Sequence, residues 1–353
     1  MNAPPLPVRA REAAATAATH RRHADETRNL HPDVARALVA AGFARHFVPE
    51  RRGGCAGSHR DTVEGVIAVG TECASAAWCA AIFAYGGRMA GRLPERGQDE
   101  LWSAGPDAVT VAALQPTGRT GAVPGGWRIT GRWSYVSGAA HADWALVQAP
   151  VDADGGGEPR RRFFAVPRAE FDVEDTWHTL GMRGTGSNTV AVDDVLVPAH
   201  RTFGAEELDH APVPLRTTAG LTFAPPLVGA ARAALAVCAR ELPPSVDLVR
   251  AAGDTELARD VLLRVASAAD RHADTERRDW QTWAPWDCAR AAELVKAAAD
   301  RLMEAAGTRA YAEGHPVQRA WRDIRTGASH VRLRPELAAA PCLVALKELH
   351  DEH

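Results

Sequence analysis

The spacing of apolar residues changes twice along the chain. Up to about position 106 it is helical. Pro32 stands at a first-turn position ahead of Asp33, Val34, Leu38 and Val39 form an apolar stripe, and Gly42 stops it. After a break at Arg51-Arg52-Gly53-Gly54 the pattern predicts another helix, then an apolar run from Ala76-Ala77-Trp78 through Phe83 that ends at Gly86-Gly87. A short helix around 95–102 closes this zone. From about 109 to 203 the period becomes two. Val109, Val111 and Ala113 alternate, as do Trp127, Ile129, Gly131, Trp133 and Tyr135 after the turn Pro124-Gly125-Gly126. Residues 142–147, 162–166 and 188–197 read as further strands, with 152–159 as a polar Gly-rich loop. Short strands joined by turns predict a small antiparallel barrel or sandwich. Helical spacing then returns: Leu257, Val261 and Val265 share a face, Leu294, Ala298, Leu302 and Ala305 share another, and Gly307 stops that helix. Residues 277–286 read as a polar, Trp-rich link, and Pro316 starts another helix.

Composition narrows the function class. The 353 residues are 46% apolar with a formal net charge of −3, which suits a folded protein of two or three subdomains and gives no basic footprint for nucleic acid. The longest uncharged apolar stretches, 73–87 and 217–231, fall short of the ~18–20 residues of a membrane span. The start, Met1-Asn2-Ala3-Pro4-Pro5, lacks a charged region followed by an apolar one, so a soluble, cytoplasmic protein is expected. Six scattered cysteines make no C-x-x-C pair. The pairs His20/His23 and His350/His353 lack a carboxylate or Cys at metal-site spacing, so no metal is expected. A triphosphate-binding loop and a G-x-S-x-G elbow are absent, and Gly181-Met182-Arg183-Gly184-Thr185-Gly186 has the wrong glycine order for a dinucleotide loop. Ten Trp against three Tyr suit a planar ligand, but on composition alone an ordinary core accounts for them.

Several ordered stretches carry a resemblance. They are Leu38-Val39-Ala40-Ala41-Gly42-Phe43 and Val48-Pro49-Glu50-Arg51-Arg52-Gly53-Gly54, then Ala74-Ser75-Ala76-Ala77-Trp78-Cys79. In the strand zone come 127–138, ending Trp133-Ser134-Tyr135-Val136-Ser137-Gly138, then His141-Ala142-Asp143-Trp144 and 179–187. Val192-Asp193-Asp194-Val195-Leu196-Val197-Pro198 and His315-Pro316-Val317-Gln318-Arg319-Ala320-Trp321-Arg322-Asp323 complete the set. Together they resemble the acyl-CoA dehydrogenase fold, and more closely its branch of two-component, reduced-flavin-dependent monooxygenases. The resemblance implies an α+β fold with a helical N-terminal domain (1–106), a central antiparallel β-barrel domain (107–205) and a C-terminal four-helix bundle (206–353), in a homotetramer. It implies reduced FMN or FAD supplied by a separate flavin reductase, O₂ as co-substrate, and biosynthetic hydroxylation of an aromatic or polyketide-like molecule through a flavin C4a-hydroperoxide. Because no nicotinamide-binding motif stands in the chain, electrons must come from a partner.

The same resemblance assigns residues. Dehydrogenases of this fold often carry a Glu a short step after the Arg-Asp pair; counted from Arg322-Asp323 that position is Val331, which cannot remove a proton. Next to it, His330 matches a histidine of the oxygenase branch, and an imidazole with a pKa near ~6.5 is suited to taking a phenol or enol proton. Ser137 matches a serine beside flavin N5, where a rigid hydroxyl can accept a hydrogen bond. Cofactor contacts are expected from Gln115, Thr117, Trp133, Ser137 and Arg319, and substrate contacts from Trp78, Tyr85, Gly86, Arg183 and Ser187. Gly86 stands where phenol-hydroxylating relatives often have a histidine, which is expected to open space for a bulkier substrate. A flavin dehydrogenase or desaturase, or a non-catalytic binding subunit, is the alternative.

Overall fold

A computed structural model describes residues 4–152, 158–211, 213–271 and 280–351. Most of the loop expected at 152–159, the first residues of the link at 277–286 and the side chains of His350 and His353 lie outside the described residues. Helices α1 (Leu6–Thr27), α2 (Pro32–Ala40), α3 (His59–Gly70), α4 (Ala74–Ala90) and α5 (Glu95–Leu101) come first. Strands β1 (Thr110–Ala113), β2 (Arg119–Val123), β3 (Gly126–Val136), β4 (Trp144–Val151), β5 (Arg160–Pro167), β6 (Asp172–Glu174), β7 (Asn188–Pro198) and β8 (Thr202–Gly204) follow. Helices α6 (Leu215–Thr218), α7 (Gly220–Phe223), α8 (Pro225–Glu241), α9 (Val246–Asp270), α10 (Trp280–Ala306), α11 (Pro316–Ala328) and α12 (Pro335–Asp351) complete the order.

The strands do not close into the expected barrel. They form two four-stranded sheets, β1-β4-β5-β8 and β2-β3-β7-β6, whose edges are short strands of three to five residues that stay unjoined. Nor is the arrangement wholly antiparallel. The chain leaves β1, makes the β2–β3 hairpin in the other sheet, and returns to lay β4 parallel to β1, with Thr110 opposite Trp144. The edge strands β2, β6 and β8 carry too little apolar alternation to be read from sequence. Residues 280–286 are the start of α10 rather than a link, with Pro285 accommodated near its first described turns.

Helix α4 positions the site. It is buried on nearly every side, as expected of a helix apolar all round. Ala80, Phe83 and Ala84 join the core that includes Val111, Val136 and Ala139 of the sheet zone. Trp78 and Tyr85 join a second core with Leu221, Phe223, Leu227 and Val228 of the bundle. The helix also runs past Gly86-Gly87 instead of ending there. A Cβ on Gly86 would lie 1.8 Å from the Thr110 carbonyl oxygen, and one on Gly87 2.8 Å from that of Ala44. Tertiary packing therefore overrides the low helix propensity of glycine. This corrects the expectation for Gly86: the missing side chain lets α4 lie on β1, and opens no substrate space.

One continuous helical stretch, Leu215–Glu241, is long and apolar enough to cross a membrane, and 78% of its most apolar window is buried inside the molecule. It spans α6 to α8 and forms the bundle side of the second core.

Gly86→Ala is expected to destabilise the fold by about 2–3 kcal/mol, the upper range for overpacking, because the neighbour is backbone. Urea unfolding of the variant would show it as a lower midpoint, and an unchanged midpoint would contradict the close packing of α4 on β1.

Candidate active site

Four of the sequence-selected residues meet where α4, the end of β3 and the approach to β7 converge. The last β3–β7 pair is Val136 with Asn188, so the next residue of one strand and the preceding residue of the other, Ser137 and Ser187, lie side by side. Their hydroxyl oxygens are 2.7 Å apart. Trp78 donates its indole N–H to Ser137 Oγ at 3.0 Å. Trp78 also packs on Phe223, with ring centroids 5.0 Å apart, and on His330, edge-on at 5.8 Å. The His330 ring lies 3.7 Å from that of Phe223.

The loop before Ser187 is shaped by two left-handed residues, Met182 (φ 51) and Gly186 (φ 49). The Met182 N–H donates to Asp323 Oδ1 at 2.6 Å, and Gly181 lies against the Arg322 carbonyl, where a Cβ would fall at 2.1 Å. Arg183 donates to the carbonyls of Asp25 (2.6 Å) and Thr179 (3.0 Å). It therefore fastens the loop to α1, a structural task different from the expected substrate contact.

His330 is neutral in this setting. Burial, with the Arg332 guanidinium adding to it, pushes the imidazole down to about 4. Its Nδ1 accepts the Arg332 backbone N–H at 3.2 Å, capping the turn Val331–Leu333. A neutral imidazole accepting at Nδ1 carries its proton on Nε2. The free nitrogen is thus a donor, which corrects the expectation of a base that takes a proton in this conformation.

Other expected residues fall elsewhere. Trp133 is 1% exposed, its indole N–H bonded to the Gln148 carbonyl at 2.7 Å, and its ring is packed against Gly118 and Gly131. It packs as a core residue. A bulge between Trp133 and Val136 breaks the period-two pattern, so Tyr135, with φ 66, turns outward and is 69% exposed, edge-on to Trp177. Gln115 and Thr117 are exposed in the β1–β2 connection, where the Thr117 hydroxyl donates to the Arg132 carbonyl. Tyr85 is buried, its hydroxyl 2.9 Å from His59 Nδ1. Arg319 lines a separate cleft of about 320 Å³ between α1, α8 and α11, with Arg21, Arg240, Ser75 and Asp323. Arg322 is held instead by Asp25 and the Leu180 carbonyl. Away from the site, His20 stacks on His31 at 4.0 Å, beside Asp33. Parallel rings cannot both aim a nitrogen at one ion without turning.

Comparison with known proteins places this geometry. Residues 244–335 match the family model described as acyl-CoA dehydrogenase, C-terminal domain. The chain is 30% identical over 350 residues to the flavin-dependent monooxygenase, oxygenase subunit HsaA, of Mycobacterium tuberculosis, covering 89% of this chain and 88% of that one. The chain belongs to the flavin-dependent monooxygenases, as an oxygenase subunit. The FADH(2)-dependent resorcinol hydroxylase, oxygenase component, of a Rhizobium species is 29% identical over 361 residues, covering 88% of this chain and 86% of that one. The crystal structure of 3-HSA hydroxylase from Rhodococcus sp. RHA1 superposes with a TM-score of 0.89 at 26% identity, covering 99% of this chain and 97% of that one.

This monooxygenase therefore works with reduced flavin and O₂. The residues present fit a reduced flavin ring. Ser137 Oγ retains acceptor capacity at the strand end, and the outward Tyr135 ring leaves an aromatic face uncovered two residues away. Sequence reasoning missed Tyr135, Thr185 and Phe223. Only Thr185 carried a readable signal, as a hydroxyl two positions before Ser187 in a glycine-rich loop.

The His330 titration is a direct check. Its folded pKa lies below the unfolded value near ~6.5, so the unfolded chain binds the extra proton between about 4 and 6.5. The stability contribution of neutral His330 is complete above about 6.5 and is lost as pH falls toward 4. An NMR titration is expected to place its midpoint near 4, and a midpoint near 6.5 would contradict the buried, neutral ring.

Proposed function

We propose that this monooxygenase hydroxylates a small phenolic molecule held against the Trp78, Phe223 and His330 cluster, with its flavin ring at Ser137 and Tyr135. The observation that carries the reading is the complementary polarity of the cluster: Ser137 accepts and His330 Nε2–H donates. When bound, reduced flavin supplies two electrons and the position at which O₂ is activated. Ser137 accepts the flavin N5–H and keeps that proton in place. His330 donates to the phenol oxygen, favouring its electron-rich, phenolate-like state and orienting the ring. The apolar walls exclude water. The name of one relative, a resorcinol hydroxylase, supports an aromatic substrate. Being named oxygenase subunit or component, HsaA and this hydroxylase also support a separate flavin reductase as partner.

The finer layout follows the same reading. The helical unit 1–106, the two-sheet unit 107–205 and the bundle 206–353 enclose the flavin at the seam of sheets and bundle. Arg319 reaches a flavin phosphate across the cleft it lines, Gln115 and Thr117 meet the far ring edge, and four copies form the assembly.

The test supplies the protein with chemically reduced FMN or FAD and a panel of phenols under ¹⁸O₂. One labelled oxygen in the product is expected; no incorporation with any phenol would overturn the reading. Ser137→Ala is expected to shift reduced-flavin consumption toward H₂O₂ release, and unchanged coupling would remove Ser137 from its role. His330→Gln keeps an N–H donor, whereas His330→Leu has none. We expect the leucine variant to lose about 10–100-fold more turnover than the glutamine variant, the range for a hydrogen bond to a developing charge. Equal losses would reject donation as the role of His330.

A further inference from the structure

A chain of hydrogen bonds runs through the site between two groups whose roles are fixed. At one end the Trp78 indole N–H can only donate, and it meets Ser137 Oγ at 3.0 Å. At the other end the Met182 carbonyl can only accept, and the Thr185 hydroxyl meets it at 2.8 Å. Between them, Ser137 and Ser187 are 2.7 Å apart, as are Ser187 and Thr185. Three hydroxyl protons must serve three O···O contacts. Thr185 must donate to the carbonyl, so Ser187 must donate to Thr185, and Ser137 must donate to Ser187. Only this direction satisfies every link. The participants are locked: Ser137, Thr185 and Ser187 are 8%, 1% and 5% exposed. The Thr185 carbonyl is also bonded to the Gly138 N–H at 2.8 Å, which fixes the spacing of the two segments.

The consequence falls on Ser137. Its proton is committed to Ser187, and one of its lone pairs to Trp78, so it can turn only a lone pair to a ligand. We infer that Thr185 and Ser187 are positioning residues that make Ser137 an obligate acceptor, and thereby make the site select the reduced over the oxidised state of its flavin. The inference rests on the flavin placement proposed above. Reduced flavin presents a proton at N5 and is matched; oxidised flavin presents a lone pair there and faces another lone pair. A serine free to rotate would donate to oxidised flavin and accept from reduced flavin, discriminating little. The relay lets product flavin leave for re-reduction while the incoming reduced form is held.

The experiment measures dissociation constants for oxidised flavin in air and reduced flavin anaerobically, by fluorescence or calorimetry, with FMN and FAD as probes. The readout is the ratio of the oxidised to the reduced constant, which a general loss of packing does not move selectively. Thr185→Val removes the relay hydroxyl at constant shape, and Ser187→Ala removes the middle link. Each releases the Ser137 proton toward the ligand. Each is expected to lower the ratio about tenfold, the worth of one hydrogen bond gained or lost; for a two-electron couple, tenfold corresponds to about 30 mV in the bound flavin potential. Thr185→Ser keeps the hydroxyl and is expected to restore the unaltered ratio. Circular dichroism and thermal melting identify any variant that fails to fold, leaving the other to decide. Folded variants that bind both forms with an unchanged ratio overturn the relay while leaving the oxygenase reading intact, as does Thr185→Ser moving the ratio as far as Thr185→Val. Failure of the unaltered protein to bind either form overturns the flavin reading itself.

Discussion

The site depends on a buried carboxylate that ties the sheets to the bundle. Asp323, on α11 and 7% exposed, accepts the N–H of Met182, while Gly181 lets the loop close to backbone contact with Arg322. From the opposite side, Gly184 meets Ala24 of α1, and Arg183 holds the Asp25 carbonyl. The loop from Gly181 to Ser187 is therefore clamped between helices far apart in sequence, and the hydroxyls of Thr185 and Ser187 take their positions from that clamp. Moving it by an ångström would break contacts of 2.7 Å that have little tolerance.

The clamp has an electrostatic cost of its own sign. Burial raises the Asp323 carboxyl to about 6, so between its ordinary range and pH 6 the folded chain binds the extra proton, and stability falls as pH rises through that window. His330 acts oppositely, its contribution being lost as pH falls from about 6.5 toward 4. The two dependences partly cancel between pH 4 and 6. Above that window the anchor is ionised and accepts, and the imidazole is neutral with its proton on Nε2.

What the sequence made legible follows from which interactions are local. The helical zones were readable because an apolar stripe and a capping or terminating residue occur within one segment, as in Pro32 to Gly42 or Leu294 to Gly307. Trp78, Ser137, Ser187 and His330 were found through motif resemblance, and the structure brings them together. Trp133 packs into the core and Tyr135 turns outward because period two holds only while strand pairing is regular, and the bulge between Trp133 and Val136 leaves no mark in apolar spacing. Gly86 misled for a related reason. An absent side chain signals space only if nothing else comes near, and the carbonyl that does belongs to a strand some two dozen residues away. The closed barrel failed because edge strands of three to five residues reveal neither their partners nor their direction.

Hydrogen-bond direction is a further property that residue identity alone cannot provide. A serine in a motif is equally a donor and an acceptor, and a histidine equally an acid and a base. Here each ambiguity is resolved by a backbone group. The Met182 carbonyl orients the hydroxyl chain from one end, and the Arg332 N–H takes Nδ1 of His330 and leaves the proton on Nε2. The indole of Trp78 links the two, bonding Ser137 through its N–H while its ring packs edge-on to the imidazole. An acceptor and a donor thus both neighbour one rigid aromatic plate. That polarity suits a ligand pair with an N–H on one member and an electron-rich oxygen on the other, and it would oppose a reaction requiring His330 to begin by removing a proton.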